Sequence, residues 1–125
     1  MRKSIASLVL SAACMLVTAC ETPSGATCPP TDPPTYTGFA QPFFADYCLD
    51  CHSATSTNRH DAPSDQNFDT EADIKKHLDA IDTQAAAGPS AMNTGMPEKS
   101  ANVQTLPTKM ERELLGQYLA CLKAQ

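Results

Sequence analysis

Cys48-Leu49-Asp50-Cys51-His52 places two thiols three residues apart and an imidazole directly after the second. On a helical turn the two sulfurs share a side, and the histidine follows them. This is the CxxCH spacing of c-type haem attachment, in which each thiol adds to one vinyl group of the porphyrin. Cys48 and Cys51 are therefore the expected thioether sites and His52 the expected proximal iron ligand. Its second ring nitrogen is expected to donate to a backbone carbonyl that fixes the ring. The expected cofactor is one covalent haem c. Three competing readings fit less well. A redox dithiol needs a βαβ context that is missing. A zinc site built from Cys48, Cys51, His52 and His60 would include the awkward consecutive pair Cys51-His52. A plain Cys48–Cys51 disulfide leaves the histidine unexplained.

The surrounding pattern is helical, with no sustained period-two alternation. Phe39, Phe43, Phe44, Tyr47 and Cys51 predict a helix over 38–51, with Pro42 in its first turn or breaking it. Thr70 and the spacing of Ile74, Leu78, Ile81 and Ala85 predict a second over 70–86, which Gly88-Pro89 stops. Thr108 with Glu111 forms a capping-box signature, and Met110, Leu114, Leu115, Tyr118, Leu119 and Leu122 predict an apolar face over 109–122. The chain has 125 residues, no Trp, four Phe and three Tyr, which makes a thin core for one small domain unless something else helps to fill it.

A second axial ligand has to come from far along the chain, and Met92, Met96, His60 and His77 are the candidates. Met96-Pro97 is preferred, with Met92 as fallback. It sits in the long aperiodic stretch 90–107, where proline can stiffen the backbone carrying a soft, neutral thioether donor. Met110 is expected in the core and His77 on a partly exposed helical surface.

The order helix, CxxCH, wrapping loops, Met-Pro loop and closing helix, over roughly 38–122, resembles that of small monohaem class I c-type cytochromes. The resemblance implies an all-α, cytochrome c-like fold of three or more helices and long loops wrapped around the haem. It also implies that Pro63, eleven residues after His52, offers the carbonyl that receives the proximal imidazole proton. By the same resemblance Arg59 is the residue that meets a haem propionate, a solvated charge being the alternative.

Outward to the N terminus, Arg2 and Lys3 precede an apolar run from Ile5 to Val17, as in a secretory signal. Leu16-Val17-Thr18-Ala19-Cys20 resembles a bacterial lipobox, with Val17 where Leu is more usual; a plain signal peptide cut near Ala19 is the alternative. The run is too short for a spanning helix. The expected organisation is a lipoprotein signal peptide over 1–19, a lipid-anchored proline-rich tether over 20–37 and a haem domain over 38–125. Acyl chains on Cys20 would give lasting membrane residence. Glu21 rather than Asp after it resembles lipoproteins sorted to the outer membrane. With Cys14 in the signal, Cys20 acylated and Cys48 and Cys51 taken by haem, Cys28 and Cys121 remain. In an oxidising compartment they are expected to pair, two free cysteines being the alternative.

The formal charge of −5 becomes −7 once Arg2 and Lys3 leave with the signal (7 basic, 14 acidic). That balance, without a basic cluster, argues against nucleic acid as a partner. The expected function is a periplasm-facing, lipid-anchored electron carrier and not an enzyme, docking at low salt on redox partner proteins with basic patches. The alternatives are a haem enzyme or gas sensor with an open or displaceable distal site, and a haem subunit of a larger oxidoreductase complex.

Overall fold

The structure, a computed structural model, describes residues 21–125. The signal segment and Cys20, the expected acylation site, lie outside the described residues. Thr35 opens the helical part: its hydroxyl accepts the Gly38 N–H at 3.1 Å and caps a π-helical turn, Tyr36–Ala40. The turn runs into α1, Gln41–Tyr47, with Pro42 in the first turn, where its missing N–H costs nothing. Phe43 and Phe44 are buried, and the Phe43 ring packs at 5.4 Å from Phe39 and 5.0 Å from Tyr47. The single helix expected over 38–51 breaks at Cys48, whose φ of −119° leaves the helical range. Its carbonyl then starts α2, Leu49–His52, by accepting the His52 N–H at 2.8 Å.

The helix expected over 70–86 is also divided. Thr70 caps α3, Glu71–Lys75, by accepting the Asp73 N–H, and α4 spans Leu78–Ala85. His77 separates them. Its ring nitrogen Nε2 lies 3.1 Å from the Asp65 carbonyl and its ring meets the edge of Phe68, contacts that favour leaving the helical path. The last helix, α5 over Lys109–Lys123, matches the expectation and carries the full Thr108–Glu111 capping box. Leu115, Tyr118, Leu119 and Leu122 form its buried stripe. Met110, expected in the core, is 70% exposed. Five residues before Leu115, it points about 140° away from that stripe at 100° per residue. The described residues are all-α, apart from one isolated bridge between Ala87 and Met92. The core joins Phe44, Phe68, Ile74, Ile81, Leu115 and Leu119, and the Tyr118 hydroxyl donates to Glu71 at 2.9 Å.

The proline-rich segment is not a free tether. Residues 21–35 form no helix, as their composition predicts, but they are strapped along α4, the 86–93 hairpin and α5. Ser24 is 1% exposed: its N–H donates to the buried Asp82 carboxylate at 3.1 Å, and its hydroxyl donates to the other oxygen. The Ser24 carbonyl accepts the Ser90 N–H at 2.9 Å, and Asn93 Nδ2 donates to the Thr22 carbonyl at 2.9 Å. Cys28 and Cys121 form the expected disulfide, with Cα atoms 4.6 Å apart. A segment poor in apolar side chains is thus held by satisfied polar groups and one covalent bond. Two glycines permit the close stacking. A Cβ at Gly88 would lie 2.6 Å from the Ser24 carbonyl oxygen, and one at Gly116 would lie 2.5 Å from that of Ala87.

Candidate haem-attachment site

The break at Cys48 puts Cys48, Cys51 and His52 on a single turn. Both cysteines are free thiols, whereas the other described pair is joined. Burial pushes the Cys48 thiol up to about 12, with Cys51 adding to the rise. The Cys51 thiol is raised by burial first, then by the charges of Asp50 and Glu98. Glu98 follows Met96-Pro97. The stretch beyond it is tied to the motif through Asp50, whose carboxylate accepts from Ser100 Oγ and Asn102 Nδ2, both at 2.6 Å. These two bonds hold the Asp50 carboxyl below its ordinary range.

His52 Nδ1 lies 2.9 Å from the carbonyl of Gln66, which fixes Nδ1 as the protonated nitrogen. This corrects the expectation for Pro63: the support is three residues further on. Pro63 faces Arg59 instead, accepting from its Nη2 at 2.6 Å. The 53–69 loop returns to α2 through Phe68, whose N–H donates to the His52 carbonyl at 2.8 Å and whose ring stacks on the imidazole at 4.5 Å. That return brings Gln66 to the ring. Burial lowers the His52 pKa below its ordinary value, opposed by the Gln66 bond, and leaves a neutral imidazole whose Nε2 is available as a donor atom.

Arg59 also departs from its expected role. Nη1 donates to the Ser53 carbonyl at 2.6 Å and to Asn67 Oδ1 at 2.8 Å, Nη2 to Pro63 and to Gln66 at 3.2 Å, and Nε to Ala62 at 3.4 Å. Every nitrogen of the guanidinium is thereby engaged with the loop beneath His52. A propionate would have to displace these bonds, so the side chain braces the loop. Asp50, Cys51 and the exposed His60 bring possible ligand atoms within 4.8 Å of one another, but Cys48 and His52 do not join them in the four-ligand set considered for zinc.

Met96 is tied through its main chain on both sides. Its N–H donates to the Gln84 carbonyl at 2.8 Å, and its own carbonyl accepts from Arg112 Nη1 at 2.7 Å. The same Nη1 reaches the carbonyls of Ala85 at 2.8 Å and Asn93 at 2.9 Å. Arg112 is 3% exposed, and burial lowers its pKa while Cys48 and Glu111 oppose the shift. Sequence reasoning passed over this residue. Its signal was its register: three positions before Leu115, a charged side chain falls on the buried stripe of α5. The fallback, Met92, is 56% exposed and sits in the hairpin beside the strap.

Two unpaired thiols on one turn and an imidazole with Nδ1 occupied and Nε2 open are donor types suited to a c-type haem, and the Met96 thioether stands on a separate braced loop. No family model, curated protein or solved structure matches this chain.

Proposed function

We propose that the mature chain is a lipid-anchored monohaem c-type cytochrome that carries single electrons between redox partners at a bacterial membrane, facing the periplasm. The observation that carries the reading is the state of the Cys48–His52 turn: two free thiols in a chain whose other described cysteines are paired, followed by an imidazole oriented through Gln66. Haem, when bound, supplies one-electron exchange between ferric and ferrous iron. Cys48 and Cys51 would hold its porphyrin, and His52 Nε2 and Met96 would be the protein ligands to its iron.

The chain's own contribution is orientation. Gln66 directs the imidazole, and burial favours its neutral form. Arg59 braces the loop that presents Gln66, and Arg112 with Gln84 fixes the Met96 peptide. A neutral thioether ligand would favour the reduced state relative to a second histidine. With His52 and Met96 both bound to the iron, binding of an external substrate would be disfavoured, which supports a carrier rather than an enzyme. The cytochrome c-like arrangement belongs to the same proposal: helices at either end of the haem domain, with the 53–69 and 90–107 loops between them.

The test is denaturing electrophoresis of the natively exported protein with haem staining, followed by intact mass. A stained band and a mass increased by one haem support the reading. A colourless, fully matured polypeptide overturns it.

A further inference from the structure

Two stretches without ionisable Asp, Glu, Lys, Arg or His side chains lie against each other in the fold: 22–31 in the strap and 83–97 in the hairpin and methionine loop. In a chain with 18% charged residues, such a pairing leaves a face made mainly of backbone, small polar groups and the exposed Met92, with Glu21 and the paired Lys109 and Glu113 at its edge. Bonds from Ser90 to Ser24 and from Asn93 to Thr22 hold the two together. Most of the acidic charge is elsewhere. Eight of the 14 Asp and Glu fall within 46–79, against three Lys and Arg.

The described chain begins at the edge of this face. Glu21, the first described residue, accepts from Gln84 Nε2, and Gln84 gives its carbonyl to the Met96 N–H. We propose that the charge-poor face rests on the lipid surface, with the Met96 loop turned toward the bilayer and the acidic 46–79 side turned toward soluble partners. The proposal rests on acylation of Cys20. Consecutive Cα atoms are about 3.8 Å apart, so an acylated Cys20 would leave the domain at the edge of this face. An 18-residue flexible tether would have allowed an excursion of roughly 20–25 Å and any orientation. The strap removes that freedom. A face whose few charges lie at its edge loses little on meeting headgroups, Met92 supplies an apolar contact, and an anionic leaflet repels the acidic side.

The test uses the full acylated protein in vesicles of phosphatidylethanolamine and phosphatidylglycerol doped with a diazirine-bearing lipid, with adducts mapped by mass spectrometry. Labelling of 22–27 and 89–96 is expected to exceed that of 54–66 by about fivefold or more, as contact confined to one face requires. Thr94→Glu, a charge placed on an exposed residue of the face, should reduce the labelling of 89–96 with acylation intact. Even labelling, or labelling concentrated on 54–66, in a protein whose N-terminal peptide carries acyl chains overturns the orientation alone. An unacylated N-terminal peptide overturns the anchor and the orientation together, and the peptide mass separates the two cases.

Discussion

Arg112→Ala tests whether a buried cation holds the candidate ligand loop. The side chain gives one amino nitrogen to three carbonyls, those of Ala85, Asn93 and Met96, at 2.7–2.9 Å. One amino group has two hydrogens, so the set is equivalent to about two charge-assisted bonds, or roughly 3–6 kcal/mol at 1.5–3 kcal/mol each. Relief of the guanidinium's own desolvation offsets part of this, and a net loss of about 2–4 kcal/mol follows. Against a typical stability of about 5–15 kcal/mol the variant should still fold. The loss should be concentrated in the loop. Amide exchange at Asn93 and Met96, whose N–H groups bond to Ala86 and Gln84, should accelerate on the order of 100-fold, more than in the second half of α5. In the haem-loaded protein the methionine ligation band should weaken, and Arg112→Lys, which keeps the charge but loses the fork, should be intermediate. Unchanged exchange at 93–96, or equal acceleration throughout α5, would refute the idea that Arg112 holds this loop.

Met96→Ala should abolish the methionine ligation band of the oxidised protein while Met92→Ala leaves it intact; an absorption spectrum of each settles which sulfur is used. The Glu111 carboxyl is held below its ordinary value by the Thr108 N–H, then by the Thr108 hydroxyl and the Tyr47 hydroxyl. Its contribution is therefore full above the ordinary carboxylate range and lost as pH falls through the lowered value, so Glu111→Gln should flatten that part of an acid denaturation curve. Replacing Cys28 and Cys121 together by Ser should lower stability by at most roughly 4–5 kcal/mol, the loop-closure value for a cross-link of this span. Denaturant titration should give less than this ceiling, because Ser24 and Asp82 still hold the strap.

The helices and the attachment turn were legible because their signals are local. Thr108, Glu111 and the Leu115–Leu122 stripe lie within α5, and CxxCH lies within one turn. What sequence missed depends on contacts between distant residues. The 70–86 pattern is continuous, and only the meeting of His77 with Asp65 and Phe68 accounts for its interruption. Gln66 had no signature, because a backbone carbonyl carries no residue identity and the loop's return through Phe68 decides which one reaches His52. Arg59 was assigned outward although its partners are the carbonyls of its own loop. The strap forms no helix, and its low apolar content is a poor guide to burial where Ser24 is buried by pairing with Asp82.

In the proposed anchored state, the Cys28–Cys121 bond also determines where a pull from the membrane goes. Tension entering at Glu21 can peel away the strap as far as Cys28, and there it crosses directly to the far end of α5. The residues between the two cysteines, with the attachment turn and the methionine loop among them, lie inside a covalent ring separated from the pulling direction. Mechanical load at the anchor is carried past the site rather than through it.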